Sequence, residues 1–122
     1  MNKFIKYYRV STRSQADSGL GLQAQERDIE LYLTTYAETP YEVLGEFTDI
    51  QSGKVDDRPE LQKAIDLAEK TGATLLVAKL DRLSRKVSFV SAIMERKKLN
   101  LIVATMPNAD KFQLHIYAAL AE

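Results

Sequence analysis

No cysteine occurs in the 122 residues, which excludes a disulfide framework and a thiolate metal site. A single histidine, His115, would leave a zinc site to be built mostly from carboxylates, an unusual ligand set. No apolar run approaches the roughly 20 residues of a membrane span. The N-terminal MNKFIKYYRV has neither a long apolar segment nor a cleavage site, so no signal peptide is visible. These absences lead us to expect a soluble, cytoplasmic protein with no membrane partner. An excess of charge is also lacking, because 17 basic and 17 acidic residues balance. Taken alone, that argues against a general nucleic-acid binder. The balance is not local, however. Residues 1–13 contain Lys3, Lys6, Arg9 and Arg13 and no acid. Residues 79–98 hold seven bases against Asp81 and Glu95, and residues 37–60 hold seven acids against Lys54 and Arg58. Charge segregated in this way can form a basic face that binds phosphate on a neutral molecule.

What is present reads as one globular domain, with 45% hydrophobic residues. FIKYYRV (4–10) is aromatic and β-branched and predicts a strand. Leu22 to about Tyr36 predicts a helix, with Leu22, Ile29, Leu33 and Tyr36 near one stripe. YEVLGEFTD (41–49) predicts a second strand, alternating at Tyr41, Val43, Gly45 and Phe47. DDRPELQKAIDLAEKTG predicts a helix with Pro59 in its first turn, Leu61, Ile65 and Ala68 on its apolar face, and Gly72 as its C-terminal cap. ATLLVAKL (73–80) is a continuous apolar run, as expected of a strand buried on both faces. Residues 87–99 predict a helix with Val90, Ile93 and Met94 inward. NLIVATM (100–106) predicts a further strand stopped by Pro107, and residues 110–122 a last helix. The order β-α-β-α-β-α-β-α predicts an α/β fold, a largely parallel open sheet flanked by helices. In such a sheet the loops after the strands share one edge, where ligands sit. Arginines distant in sequence can converge there.

The stretch YYRVSTRSQ (7–15) places Ser11 and Thr12 between Arg9 and Arg13. A serine among guanidinium groups is poorly set for ester or amide hydrolysis, which uses a neighbouring base; the chain also lacks G-x-S-x-G. It is well set for attack on phosphorus. The planar fork of donors on arginine matches phosphate oxygens and stays charged at any working pH. Prepositioned guanidinium groups stabilise the charge that grows on non-bridging oxygens, and they favour the alkoxide of a nearby serine. Arg9, Arg58, Arg82 and Arg85 can do this without metal or histidine.

Five segments together, YYRVSTRSQ, GLGLQAQ, DIQSGKVDDRPEL, KLDRLSR and MPNADKFQLHIYAALAE, resemble the catalytic domain of serine recombinases, the resolvase/invertase group. The resemblance runs in order through nearly the whole chain. It implies a resolvase-like fold, cleavage of double-stranded DNA through a 5′-phosphoserine link, strand exchange and religation. It implies no cofactor, ATP or divalent metal, and a homodimer that assembles to a tetramer in the full-length protein. By the same resemblance Ser11 is the nucleophile, and Arg9, Arg82 and Arg85 grip the scissile phosphate. Arg58 is similar to a fourth site arginine, and Asp81 assists proton transfer or orients an arginine. Gln15 and Gln23 match supporting glutamines, and Asp49 a structural acid under the site. The last helix is still helical in pattern at Glu122, so truncation within a longer protein, ahead of a DNA-binding domain, is expected. The resemblance does not distinguish integration, resolution and inversion.

Other readings of these residues stand beside the functional ones. Ser11 and Thr12 can be a turn or helix-cap pair. Arg82 and Arg85 can be a solvated face. Asp81 can be a helix cap or an ion-pair partner. Gln15 and Gln23 can be ordinary surface residues, and Asp49 is expected to be a turn residue. His115 is expected to be a packing or interface residue with no catalytic role. Phe112, Ile116, Ala119 and Leu120 form a stripe that is either core or a subunit interface. The rival to a recombinase is a DNA- or phosphate-associated binding domain without catalysis. The intact set of Ser11 and four arginines argues against it.

Overall fold

A computed structural model describes residues 2–10, 20–37, 40–50, 58–83 and 87–121. Its elements alternate as expected: β1 (Asn2–Val10), α1 (Leu20–Thr35), β2 (Tyr41–Ile50), α2 (Pro59–Thr71), β3 (Thr74–Val77), a 3₁₀ turn (Leu80–Arg82), α3 (Val87–Met94), β4 (Asn100–Val103) and α4 (Lys111–Ala121). The strands form one sheet in the order β2-β1-β3-β4, and every pairing is parallel. The chain leaves β1 towards β2, returns past β1 to β3, and continues to β4. Right-handed crossovers then require helices on both faces. Accordingly α1 covers one face and α2, α3 and α4 the other.

Each face has its own core. Ile29, Tyr32 and Leu33 of α1 pack on Phe4, Tyr8, Leu76 and Ala78. On the opposite face, Leu61, Ala64, Ile65 and Ala68 of α2 join Val90, Ile93 and Met94 of α3 and Leu114 and Ala118 of α4 over Ile5, Tyr7, Leu75 and Val77. Successive β3 side chains feed opposite cores, which is why its sequence is apolar without alternation. α2 starts at Pro59 and ends on Gly72, whose φ of 78° admits a residue without Cβ and whose N–H donates to the Ala68 carbonyl at 2.9 Å.

Several expectations need correction. Alternation in β2 breaks at Leu44. Phe4 pairs with Val43 but Ile5 with Gly45, so one extra residue is inserted. The bulge reverses the phase. Tyr41 and Val43 pack on the α1 face, whereas Leu44 and Phe47 pack on the α2 face. On α1, Tyr36 lies outside the stripe, 54% exposed and stacked on Tyr32, which takes the buried place. The third helix stops at Met94 rather than 99 and continues as turns. β4 stops at Val103, although the Ala104 and Thr105 N–H groups still donate to the Val77 and Ala78 carbonyls. The stripe on α4 is not core among the described residues: Phe112, Ile116 and Leu120 are 72%, 45% and 79% exposed. Leu114 and Ala118 form the inward face instead. His115 packs as expected, its Nδ1 3.2 Å from the Ser91 hydroxyl of α3.

Candidate active site

The sheet reverses its winding between β1 and β3, and the crevice beyond their carboxyl ends is where a doubly wound sheet takes ligands. Arg9 is the penultimate residue of β1, and Arg82 ends the 3₁₀ turn that follows β3. The two are linked directly, since Arg82 Nη1 donates to the Arg9 carbonyl at 3.4 Å. Arg58 reaches the same region from the N-cap position of α2 and is buried, with 8% of its surface exposed. Its guanidinium carbon lies 5.1 Å from the centre of the Phe89 ring.

Asp49 holds this assembly from beneath. It lies within β2, not in a turn, and is 4% exposed. One carboxylate oxygen accepts from the Glu60 N–H at 3.0 Å, and the other from the Leu61 N–H at 3.0 Å and the Tyr7 hydroxyl at 2.8 Å. The side chain of Arg58, the residue at the N-cap of α2, makes no capping bond. A carboxylate from the neighbouring strand therefore does that work, and its charge also complements the positive end of the helix. Tyr7 is wholly buried. Burial pushes its hydroxyl well above its ordinary 10.0, and the bond to Asp49 and the Asp49 charge act in the same direction. The Arg58 and Arg9 charges oppose them, so both cations are felt at this hydroxyl. The turn reading of Asp49 fails because residue 49 still pairs with Arg9 in the β1–β2 ladder.

A second clasp fixes the Arg9 backbone. Gln25 accepts from the Arg9 N–H at 3.1 Å and donates to the Arg9 carbonyl at 2.9 Å and the Gly21 carbonyl at 3.1 Å. It is 1% exposed. Gln23, the glutamine singled out from the sequence, is exposed on α1. Residues two apart on a helix point to nearly opposite sides, so only one of the pair can face β1. The signal for Gln25 was available: it precedes Ile29 and Leu33 at four-residue steps, and a polar residue in that stripe must find a partner.

The structure thus brings Arg9, Arg58 and Arg82 to one edge, with Asp49 and Gln25 supporting them. Ser11, Gln15 and Arg85 lie outside the described residues. Asp81 is described only by its backbone, within the 3₁₀ turn. Lys54 also falls outside. Among the described residues no group of three histidine, aspartate or glutamate side chains is arranged to hold a metal ion.

A doubly wound parallel sheet with guanidinium groups gathered at its switch point defines an α/β domain suited to handling phosphate. More specifically, the chain belongs to the resolvase N-terminal domain family, whose model, described as Resolvase, N terminal domain, matches residues 4–122. Among curated relatives, the DNA-invertase hin of Salmonella typhimurium is 38% identical over 84 residues, covering 62% of this chain and 44% of that protein. The serine recombinase gin of Escherichia phage Mu is also 38% identical over 84 residues, covering 62% of this chain and 43% of that one. The chain therefore spans less than half the length of these relatives. Among solved structures, the N-terminal catalytic domain of TP901-1 integrase superposes with a TM-score of 0.70 at 26% identity, over 98% of this chain and 91% of that one. A resolvase family site-specific recombinase from Streptococcus pneumoniae gives 0.71 at 26% identity, over 99% and 86%. The resemblance stated from the motifs and the resolvase-like α/β fold are both borne out.

Proposed function

We propose that this chain is the catalytic domain of a serine site-specific recombinase acting on double-stranded DNA. The Ser11 oxygen attacks a phosphodiester phosphorus, the bond from phosphorus to the 3′ oxygen breaks, and a 5′-phosphoserine link forms. The serine proton passes to a base and the departing 3′ oxygen takes up a proton, with Asp81 in the proton-transfer or arginine-orienting role. Religation is the reverse attack by a 3′ hydroxyl after strand exchange, so no external energy source is needed. Arg9, Arg58, Arg82 and Arg85 bind the phosphate and stabilise its added charge. Gln15 takes a supporting role. The observation that carries this reading is the meeting of Arg9, Arg58 and Arg82 at the edge where β1 delivers the chain to Ser11, two residues beyond Arg9.

The exposed stripe Phe112, Ile116 and Leu120 supports a homodimer that assembles to a tetramer, since a helix seldom leaves three large apolar side chains in water unless a partner covers them. We place sequence recognition outside residues 1–122, and the protein in the cytoplasm.

Ser11→Ala tests the assignment. In the full recombinase, a suicide duplex run on a denaturing gel should show no protein–DNA adduct, while duplex binding stays near that of the unaltered protein. Removing one hydroxyl takes away the nucleophile and little of the phosphate attraction. Adducts that persist in the alanine variant would mean another residue attacks. An unaltered protein that binds duplex but never forms an adduct would favour the binding-domain rival.

A further inference from the structure

We infer that Phe89 is a positioning residue for Arg58: its ring seats the guanidinium at the mouth of the α2–α3 groove, so the placement of this arginine depends on α3. The inference rests on the proposed role of Arg58 at the phosphate and adds to it a residue to which the sequence assigned no part.

The two halves of the arginine cluster are built differently. Arg9 and Arg82 are tied to each other and to Gln25 through the Arg9 backbone, at the carboxyl end of the central strands. Arg58 belongs to another unit. Its backbone is fixed by the start of α2 on Asp49, but its side chain runs to α3, 5.1 Å from the Phe89 centroid. Between α2 and α3 lies a groove of about 450 Å³, lined by Leu61, Ile65, Phe89 and Ile93. Arg58 sits at one end. At the other, Arg96 forms a two-point bond with Glu69 of α2, at 2.9 and 2.8 Å. α2 is thus latched at one end to α3 and at the other to the turn that follows it. The far latch is an ion pair at the partly exposed end of α2, and the near latch is a cation on a ring.

The physical reason for a ring at this position is the burial of Arg58. A carboxylate there would neutralise the charge that a phosphate must meet. An aromatic face attracts the cation through its quadrupole and leaves the net positive charge in place. A cation held over a ring face also makes no hydrogen bond to it, so its N–H donors are not consumed by the contact. Phe89 can therefore restrict where Arg58 points without cancelling what it offers. α3 in turn touches α4 through Ser91 and His115, so a shift of the outer helices would reach the site through Arg58 before it reached Arg9.

The test compares Phe89→Met, which retains apolar volume without a ring, with Phe89→Trp, which retains the ring face. Arg58→Ala is the control. The full recombinase is used, with a crossover duplex recovered by selection from a random-sequence pool. Single-turnover adduct formation at saturating duplex should fall roughly 5- to 30-fold in the methionine variant. The tryptophan variant should recover to within about 3-fold of the unaltered protein, because indole is the best cation–π partner. Duplex affinity should change little in either. In ¹⁵N spectra, the Arg58 Nε–Hε proton should be ring-shifted upfield in the unaltered protein and lose that shift in Phe89→Met. This measurement stands even if a variant folds poorly, because the first half needs no variant. If Arg58→Ala abolishes adducts while Phe89→Met leaves the rate unchanged, the inference is wrong and the role of Arg58 survives. If Arg58→Ala itself retains full rate, that role fails and the inference goes with it. Equal loss in the methionine and tryptophan variants would show that Phe89 acts through packing alone.

Discussion

At the scale of single residues, the site is held mainly by groups that do not carry its charge. Asp49 joins a strand end, a helix start and the Tyr7 hydroxyl in one buried carboxylate. Gln25 holds both backbone polar groups of Arg9 and so fixes the direction in which β1 releases the chain. The two glutamines of the GLGLQAQ segment make a clean comparison. Gln25→Leu takes from the Arg9 N–H its side-chain acceptor and from the Arg9 carbonyl the shorter of two side-chain donors, the other being Arg82. This should cost on the order of 1–3 kcal/mol in urea unfolding, because a buried polar group stripped of its partner loses its full desolvation energy. Gln23→Leu should fall within about 0.5 kcal/mol of the unaltered chain, as surface changes do. Equal losses at the two positions would contradict the assignment of the clasp to Gln25.

At the scale of elements, each helix has a different debt to its neighbours. α2 is specified almost completely by local chemistry: proline at its start, leucine, isoleucine and alanines along one face, glycine in the left-handed conformation at its end. α4 is capped as locally, by a reciprocal pair in which Asp110 accepts from the Gln113 N–H at 2.8 Å and Gln113 accepts from the Asp110 N–H at 3.0 Å. Its two faces nevertheless divide the labour unevenly. Leu114 and Ala118 hold it to the core, while Phe112, Ile116 and Leu120 hold nothing within the described residues. Replacing Phe112 and Leu120 together by serine should therefore leave the unfolding midpoint of the chain nearly unchanged at low concentration, and, if the proposed self-association uses this stripe, should weaken it in sedimentation experiments. A large drop in the stability of the monomer would place the stripe in the fold of a single chain.

At the scale of the whole molecule, the buried tyrosines of β1 should make stability decline at alkaline pH. Tyr7 and Tyr8 are both raised from an ordinary 10.0, chiefly because burial disfavours the phenolate. A raised folded value means that the folded chain keeps protons the unfolded chain has lost. Their contribution is fully present below pH 10 and declines as pH rises beyond it. Urea stability measured from pH 8 to 11.5 should fall above about 10, and Tyr7→Phe should make the decline shallower, because phenylalanine has no proton to lose. An unchanged slope in that variant would mean that Tyr7 does not contribute to the alkaline limit.

The order of the elements, the parallel sheet, the limits of α2 and the double burial of β3 are all legible in the chain, because local propensity and hydrophobic period point the same way in each. The choice of Arg9, Arg58 and Arg82 was also legible, first as donors suited to phosphate and then as pieces of ordered motifs. What the tertiary structure alone decided is where sequence-distant groups meet. The phase of β2 depends on one inserted residue, Leu44, which alternation counted from Tyr41 does not anticipate. Asp49 reads as a turn residue because its three donors come from positions 7, 60 and 61, which only the sheet and the crossover bring together. Gln25 surpasses Gln23 through helical phase relative to β1, and Phe89 meets Arg58 because α2 and α3 share one face of the sheet. A local pattern records which groups a segment offers. Which of them are buried together is set by packing between segments, and there the desolvation of each polar group selects the partner it must have.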